Sequence, residues 1–404
     1  MITAGFHTDT ITPTIPVKLS GYAGTREATG VHDELYVKSF VVQFEETSYG
    51  LVILDLLSVD DELVEYVRNE GVALGFEKNN IQILATHTHS GPVGIHDTDT
   101  GILKGYSFFL GEHSEEYFKF VGEKIINSLK KALEKQSIQH VKIGKVKVPN
   151  VSSNRSRPEL DYDNTLLAFE FESEEGEKNL ILRFANHPTV LDASNTLISA
   201  DFIGDLYKRF SSRYKNILFL NGACGDISTR HTRKGSGFGE LERIGEVMEG
   251  KVLESFREPI YEGLFDDIQM EGQLFEISTK EPQKLESLKH RYSELTDEQE
   301  KISVYSEIVY AENQVQRIID FSVNVVRIQG MVFVLMPVEI FSTLTLDFIE
   351  AGYYYTSFAN GYYTYLPDSE SYDRDEYEAC ISPFARGEGE RVVREVQEWV
   401  QGLR

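Results

Sequence analysis

Two short runs, Ile81 to Ala85 and Asn216 to Leu220, are apolar almost throughout, as expected of strands covered on both faces. Such strands need other elements packed on each side, and the chain supplies them. Strand patterns recur at Leu35 to Glu45, Gly50 to Leu56, His140 to Val148, Thr165 to Phe171, Asn179 to Phe184, Ser322 to Ile328 and Val332 to Met336. Helical spacing runs between them. One helix starts at Asp60, and a long one is capped by Ser114, with Glu115 and Glu116 at its start and Lys130, Lys131 and Lys135 toward its end. Asp201 to Tyr214, Gly239 to Phe256 and Arg391 to Val400 also read as helices. Glu281 to Asp320 is charged and nearly free of Gly and Pro, and reads as an external helical hairpin with a solvated face. The fold class expected is α/β, a layered architecture with a mixed β-sheet flanked by helices. No repeat or interdomain linker interrupts it, so residues 1–404 are expected to form one domain with the hairpin inserted at about 281–320.

Charge narrows the partners. A formal net charge of -25 repels phosphate backbones and anionic headgroups, which argues against nucleic acid. No apolar run approaches the ~20 residues that span a bilayer, so no transmembrane segment is expected. The first residues lack the basic and apolar regions of a signal peptide, and a cytoplasmic location is the expectation. Cys224 and Cys380 read as two reduced thiols rather than a bridge.

Four segments carry chemistry. Ile81 to Ala85 leads into Thr86-His87-Thr88-His89-Ser90-Gly91-Pro92. Residues two apart on a strand share a face, so His87 and His89 are expected to look into one pocket at the sheet's C-terminal edge. A neutral imidazole ligates zinc well, and a second one nearby can accept a proton. His187 also ends an apolar strand and offers a further nitrogen. Asn221-Gly222-Ala223-Cys224-Gly225-Asp226-Ile227-Ser228 is a strand running into a glycine-rich turn, which suits an oxyanion site or a sharply presented hydroxyl, or is an ordinary turn. Its spacing is not that of a nucleophile elbow. Glu339 follows another apolar strand, ahead of a tyrosine-dense stretch, Asn360 to Tyr365 and Tyr372 to Tyr377, that is either a packing layer or a source of phenol ligands.

In this order the segments resemble the catalytic domain of the neutral (non-lysosomal) ceramidase family. The resemblance begins at Asp9 to Pro13 and Ser20-Gly21-Tyr22-Ala23. It continues through Thr86 to Pro92, Asn154-Arg155-Ser156, His187, Gly225 to Ser228 and Pro337-Val338-Glu339, and ends at Tyr377-Glu378. It implies a Zn2+ cofactor held by His87, His187, Glu339 and Tyr365. The last is selected because the family's Asn-x-Tyr-x-x-Tyr block binds metal through its second tyrosine. It further implies Ser228, His89, Arg155 and Tyr377 as catalytic residues, with Gly21 and Asp226 against substrate.

The roles implied are water activation at the metal, proton transfer by His89, and oxyanion stabilisation by Arg155 and Tyr377, with Ser228 as water-orienting group or nucleophile. The function expected is zinc-dependent hydrolysis of an N-acyl amide, ceramide or a ceramide-like or smaller lipid-like molecule, within sphingolipid or wider lipid metabolism. A metal-dependent esterase or phosphoesterase, or an inactive binding homologue, is the alternative. Two departures stand out. The family's larger members carry a C-terminal β-sandwich, which is not expected here. Their Pro-Asn after the Gly-Asp-x-Ser motif is replaced by Thr229-Arg230, followed by His231, Arg233 and Lys234. The Arg233 to Gly237 loop reads as flexible surface, its alternative role being to meet an acidic substrate.

Overall fold

The computed structural model describes residues 2–313 and 316–403. These residues form three main sheets, all mixed. The first orders Ile2–Thr10, Tyr36–Phe44, Thr47–Leu54 and Ile81–Ala85, the last two parallel. The second orders Asn216–Asn221, Lys178–Phe184, Thr165–Ser173, Gln139–Lys147 and Tyr261–Leu264, the first two parallel. The third orders Ile268–Ser278, Ile318–Ile328, Met331–Leu335 and Tyr353–Thr356, the last two parallel.

One face of each sheet meets the others in a shared core. Phe6, Phe40 and Leu84 come from the first sheet, Phe169 and Leu218 from the second, and Val326, Phe333 and Tyr354 from the third. Helices cover the opposite faces. Asp61–Gly71 and Glu115–Leu133 pack on the first sheet, Phe202–Phe210 and Phe238–Ser255 on the second, and Glu388–Gly402 on the third. Local chemistry starts the first two: the Asp60 carboxylate accepts from Glu62 N at 2.8 Å and the Ser114 hydroxyl from Tyr117 N at 3.3 Å. Val121, Ile125 and Leu129 then recur one turn apart on the buried face of the longer helix.

Each sheet therefore contains one parallel pair, and loops beyond the C-terminal ends of parallel strands are where α/β folds build sites. His87 follows Ala85, His187 follows Phe184, Ser228 follows Asn221 and Glu339 follows Leu335.

The sequence reading differs from the fold in three places. It omits the strands Ile2–Thr10, Tyr261–Leu264, Ile268–Ser278 and Tyr353–Thr356; the third of these carries exposed Glu271, Gly272 and Gln273 at its centre, which hide its alternation. The hairpin expected through Asp320 is shorter: its helices are Leu285–Glu294 and Glu298–Asn313, residues 314–315 lie outside the described residues, and Ile318 already begins a strand. Nor is its second helix merely a solvated face. Val304, Ile308 and Val309 are buried, and Gln299 and Ile302 reach the main cavity. Both cysteines are buried and unpaired, as expected. Among the described residues no helix is long and apolar enough to cross a membrane.

Candidate active site

The strand Ile81–Ala85 ends before the histidines, and His87 sits at φ +72°. Strand alternation is therefore not what turns His87 and His89 to one side. A left-handed turn at His87 does it, a conformation costly for a non-glycine residue and held by its surroundings. His87 N donates to Leu56 O at 2.9 Å, its Nδ1 bonds Leu57 O at 2.7 Å, and its ring stacks on Phe358 at 3.9 Å. His187 is anchored the same way, Nδ1 to Cys224 O at 2.8 Å.

These anchors fix the tautomers. A carbonyl accepts, so each Nδ1 carries the proton and each Nε2 presents a bare lone pair. The two Nε2 atoms lie 3.2 Å apart. Glu339 Oε2 lies 3.0 Å from His187 Nε2 and 3.5 Å from His87 Nε2, yet accepts no hydrogen bond of good geometry. Burial, then Arg155, pulls His187 down to about 4, so its imidazole is neutral at neutral pH. Converging lone pairs and a carboxylate oxygen, all buried, repel one another unless a cation lies among them. The donor set, two imidazoles and one carboxylate, suits zinc.

His89 completes the histidine cluster, its Nε2 3.2 Å from that of His87. Its Nδ1 is buried with no partner, and burial followed by the two neighbouring imidazoles puts it well below the usual histidine range. Gly21, at φ +93°, lies against this ring: a Cβ there would come within 2.6 Å of His89 Nδ1. Glycine is required at that position on both counts.

The tyrosine block is fastened to the histidine strand by Asn360, whose amide donates to Gln82 Oε1 at 2.6 Å and whose Oδ1 accepts from Ile83 N at 2.9 Å. Glu339 and Tyr365 are backbone partners in a two-residue parallel ladder. Tyr362 donates to Glu339 Oε1 at 2.5 Å, leaving Oε2 toward the histidines. Arg155 donates from Nε to Glu378 Oε1 at 2.6 Å, lies over the Tyr365 ring, and keeps a buried Nη2 without a partner. The sequence reading assigned no task to Asn360, Tyr362 or Glu378. The spacing of the tyrosine block contained the first two, and Glu378 stood beside Tyr377.

The glycine-rich turn works differently from the expectation. Gly222 N and Gly225 N donate to Phe184 O and Ile340 O, so neither amide is free for an oxyanion. Gly225 instead permits close approach, since a Cβ would lie 2.4 Å from Glu339 O. Asp226 is buried, accepting from Asn154 Nδ2 at 2.9 Å and from Ser342 N at 2.6 Å, and it is absent from the cavity wall. Ser228, Arg155, Tyr377, Tyr365, His89 and Gly21 do line that cavity, of about 260 Å³, with His87, His187 and Glu339.

A family model described as "Neutral/alkaline non-lysosomal ceramidase, N-terminal" matches residues 3–216, more than half of the chain. The chain belongs to the neutral/alkaline ceramidase family. A curated relative, Neutral ceramidase 2 of Arabidopsis thaliana, is 26% identical over 241 residues, 54% of this chain and 30% of that protein. The matched region thus spans under a third of that relative's length. The fold matches the neutral ceramidase of Pseudomonas aeruginosa at TM-score 0.79 and 18% identity, over 98% of this chain and 73% of that one. A ceramidase complexed with C2 matches at TM-score 0.76 and 17% identity, over 97% and 74%. The ceramidase family match reaches His87, His89, Arg155 and His187, whereas Ser228, Glu339, Tyr365 and Tyr377 lie beyond it and join the site through the fold.

The segment whose carbonyls anchor His87 starts at a buried carboxyl, Asp55, lying in the field of a buried lysine, Lys38. Asp55 accepts from Tyr207 Oη at 2.9 Å, and Lys38 Nζ sits 3.9 Å from the Tyr207 ring centre. Burial pushes Asp55 up to about 6, against Lys38, and lowers Lys38 to about 8. A raised carboxyl stabilises the fold below its unfolded pKa of ~3.9, and that contribution is lost as pH rises through about 6. A depressed lysine acts in the opposite sense, its contribution lost as pH falls through about 8. Lys38→Met removes the counter-charge and raises Asp55 further. Thermal melts from pH 5 to 8 should show the variant losing stability relative to the parent as pH rises, by about 3 kcal/mol at the upper end. A difference that does not vary with pH would mean Asp55 is not held by Lys38.

Proposed function

We propose that the chain is a zinc-dependent amidohydrolase acting on an N-acyl amide of lipid-like character. The observation that carries this is the meeting of His87 Nε2, His187 Nε2 and the unpartnered Glu339 Oε2 at one buried point on a cavity wall. Tyr365, paired with Glu339, is the fourth ligand in this reading. Zinc bound there would supply a Lewis acid for the amide carbonyl and lower the pKa of water.

The chain's own residues do the rest. His89, neutral and without a carbonyl anchor, takes a proton from the attacking water and returns one to the leaving amine. Arg155 offers its free Nη2, and Tyr377 its phenol, to the oxygen that gains charge. Ser228 orients water, and Gly21 gives the His89 ring its space. Asp226 supports the site from behind by tying Asn154 to Ser342. Tyr106, Phe109, Leu110, Ile302 and Ile381 give the same cavity an apolar wall suited to an acyl chain.

A panel of N-acyl amides, matching esters and phosphoesters, offered to zinc-supplemented protein, tests the reading. Amide turnover is expected to dominate. Turnover confined to esters or phosphoesters would overturn the amide assignment. Stoichiometric metal without turnover of any kind would favour a binding homologue.

A further inference from the structure

We propose that the amine half of the substrate carries an anionic group, received by Arg230 with Arg233. This rests on the amide-hydrolase reading above and adds a substrate class to it.

Arg230 and Arg233 line the cavity that holds His87, His187 and Glu339. The Arg230 guanidinium has no hydrogen bond or ion pair to any described residue; only its backbone is engaged, N donating to Ser228 Oγ at 3.2 Å. Arg233 uses Nη1 on the carbonyls of Thr189 and Val190 and pairs with no carboxylate within salt-bridge distance among the described residues. Arg155, on the same wall, keeps its buried Nη2 free. The carboxylates nearby are engaged by other groups: Glu339 faces the histidines, Glu378 accepts from Arg155 Nε at 2.6 Å, and Asp192, which lines the same cavity and feels the charge of Arg233, accepts from Ser194 N and Oγ at 2.9 and 2.6 Å.

The background makes this arrangement informative. The chain has 65 acidic residues against 40 lysines and arginines, so a basic surface left unpaired by chance is improbable in composition. Arg230 is exposed at the cavity wall, and partial burial, then Arg155, lowers its pKa while Glu378 acts to raise it. The turn that presents both arginines is built rather than loose. Thr232 Oγ1 donates to Val151 O at 2.6 Å, Arg233 N to Thr229 O at 2.8 Å, and the His231 ring bonds Arg155 O at 3.0 Å. A fixed turn presenting free guanidinium donors matches a carboxylate, sulfonate or phosphate.

The apolar wall comes from other elements. Tyr106 and Phe109 belong to a segment tied to Ile381 by the Tyr106 hydroxyl and capped by the second hairpin helix, where Phe108 meets Tyr305. One cavity thus offers an apolar wall, a metal-ligand cluster and a cationic wall. The matching molecule is an amphiphile with an acyl chain, a scissile amide and an anion on the amine side. In hydrolysis the amide C–N bond breaks, a C–O bond forms from water, and a proton of that water passes to the nitrogen, which leaves as an amine still bearing its anionic group.

The test compares N-dodecanoylglycine, N-dodecanoyltaurine and phosphorylated N-dodecanoylethanolamine with neutral N-dodecanoylethanolamine, in zinc-loaded parent protein and in Arg230→Gln. At least one anionic amide should exceed the neutral one in kcat/KM by about tenfold or more, and Arg230→Gln should collapse that ratio, the scale of one charge-assisted hydrogen bond. The rank of the three distinguishes carboxylate, sulfonate and phosphate. Equal handling of neutral and anionic amides, or a ratio that Arg230→Gln leaves in place, overturns the proposal. Calorimetric binding of the same four compounds separates the two layers. If none is cleaved, the amide reading fails; anionic binding weakened about tenfold by Arg230→Gln still supports this inference, and equal binding of neutral and anionic compounds rejects it.

Discussion

His187→Ala is expected to cost the protein its metal and its hydrolytic activity together. His187 is fully buried, its Nδ1 is spent on Cys224 O, and its Nε2 faces His87 Nε2 at 3.2 Å and Glu339 Oε2 at 3.0 Å. Removing it deletes one of the two imidazole donors that have a carbonyl anchor. Loss of an outer partner of a ligand already costs ~10–100-fold in metal affinity, so loss of the ligand itself should exceed that. Zinc content after dialysis should fall from one equivalent to trace. Thermal stability gives a second readout. Zinc at a hundredfold excess over its Kd should stabilise the parent by about 2.7 kcal/mol, and His187→Ala should show almost none of that gain. The metal-free pair is informative too. The variant loses packing but also relieves the opposed lone pairs, so its destabilisation without metal should fall below the ~2–5 kcal/mol typical of emptied core sites. A variant that still holds one zinc as tightly as the parent would remove His187 from the ligand set.

The site was legible in the sequence to the extent that each part sat just past an apolar strand. His87, His187 and Glu339 were each found that way, and the fold brings all three within hydrogen-bond distance of one another or close to it. What strand reasoning could not give was the reason they converge. The polypeptide places one parallel pair in each of three sheets, and pairing between distant strands leaves no local mark. The same limit explains the error over His87. Alternation is a property of extended backbone, and the extended segment stops at Ala85. Asn360 opens the tyrosine block in the sequence, but its work, bonding the edge of Ile81–Ala85 from far along the chain, is set entirely by tertiary approach.

Charge is legible at two scales, and the basic run Arg230, His231, Arg233 and Lys234 stands out in the sequence, but its meeting with Arg155 is tertiary. A net charge of -25 says what the whole surface repels, whereas Arg155, Arg230 and Arg233 gather on one cavity wall. The charge run likewise marks the hairpin as external and solvated. Only packing shows that Ile302 closes the cavity beside Phe109 and Ile381.

His89→Ala should separate proton transfer from metal binding, keeping the zinc and losing the chemistry. The three histidines are alike in sequence context but not in anchoring. His87 and His187 each give Nδ1–H to a backbone carbonyl, the arrangement that orients a ligand imidazole. His89 has no such anchor, and its buried Nδ1 is without a partner. A proton carrier must exchange its proton during each cycle, which a ring locked to a carbonyl does poorly. The variant should bind zinc near stoichiometrically while kcat falls by about 10²–10⁴, the range for loss of a general acid–base group. If zinc leaves as well, the site is a three-histidine one and Glu339 becomes its outer support. Ser228→Ala should be the milder of the two losses. The Ser228 hydroxyl accepts from Arg230 N at 3.2 Å and has no histidine within hydrogen-bond distance, so it lacks the adjacent base that activates a serine. Its loss should lower kcat less than loss of His89, with no burst of amine release in the parent. A stoichiometric burst, abolished by Ser228→Ala with zinc retained, would make the serine the nucleophile and reduce His89 to its activating base.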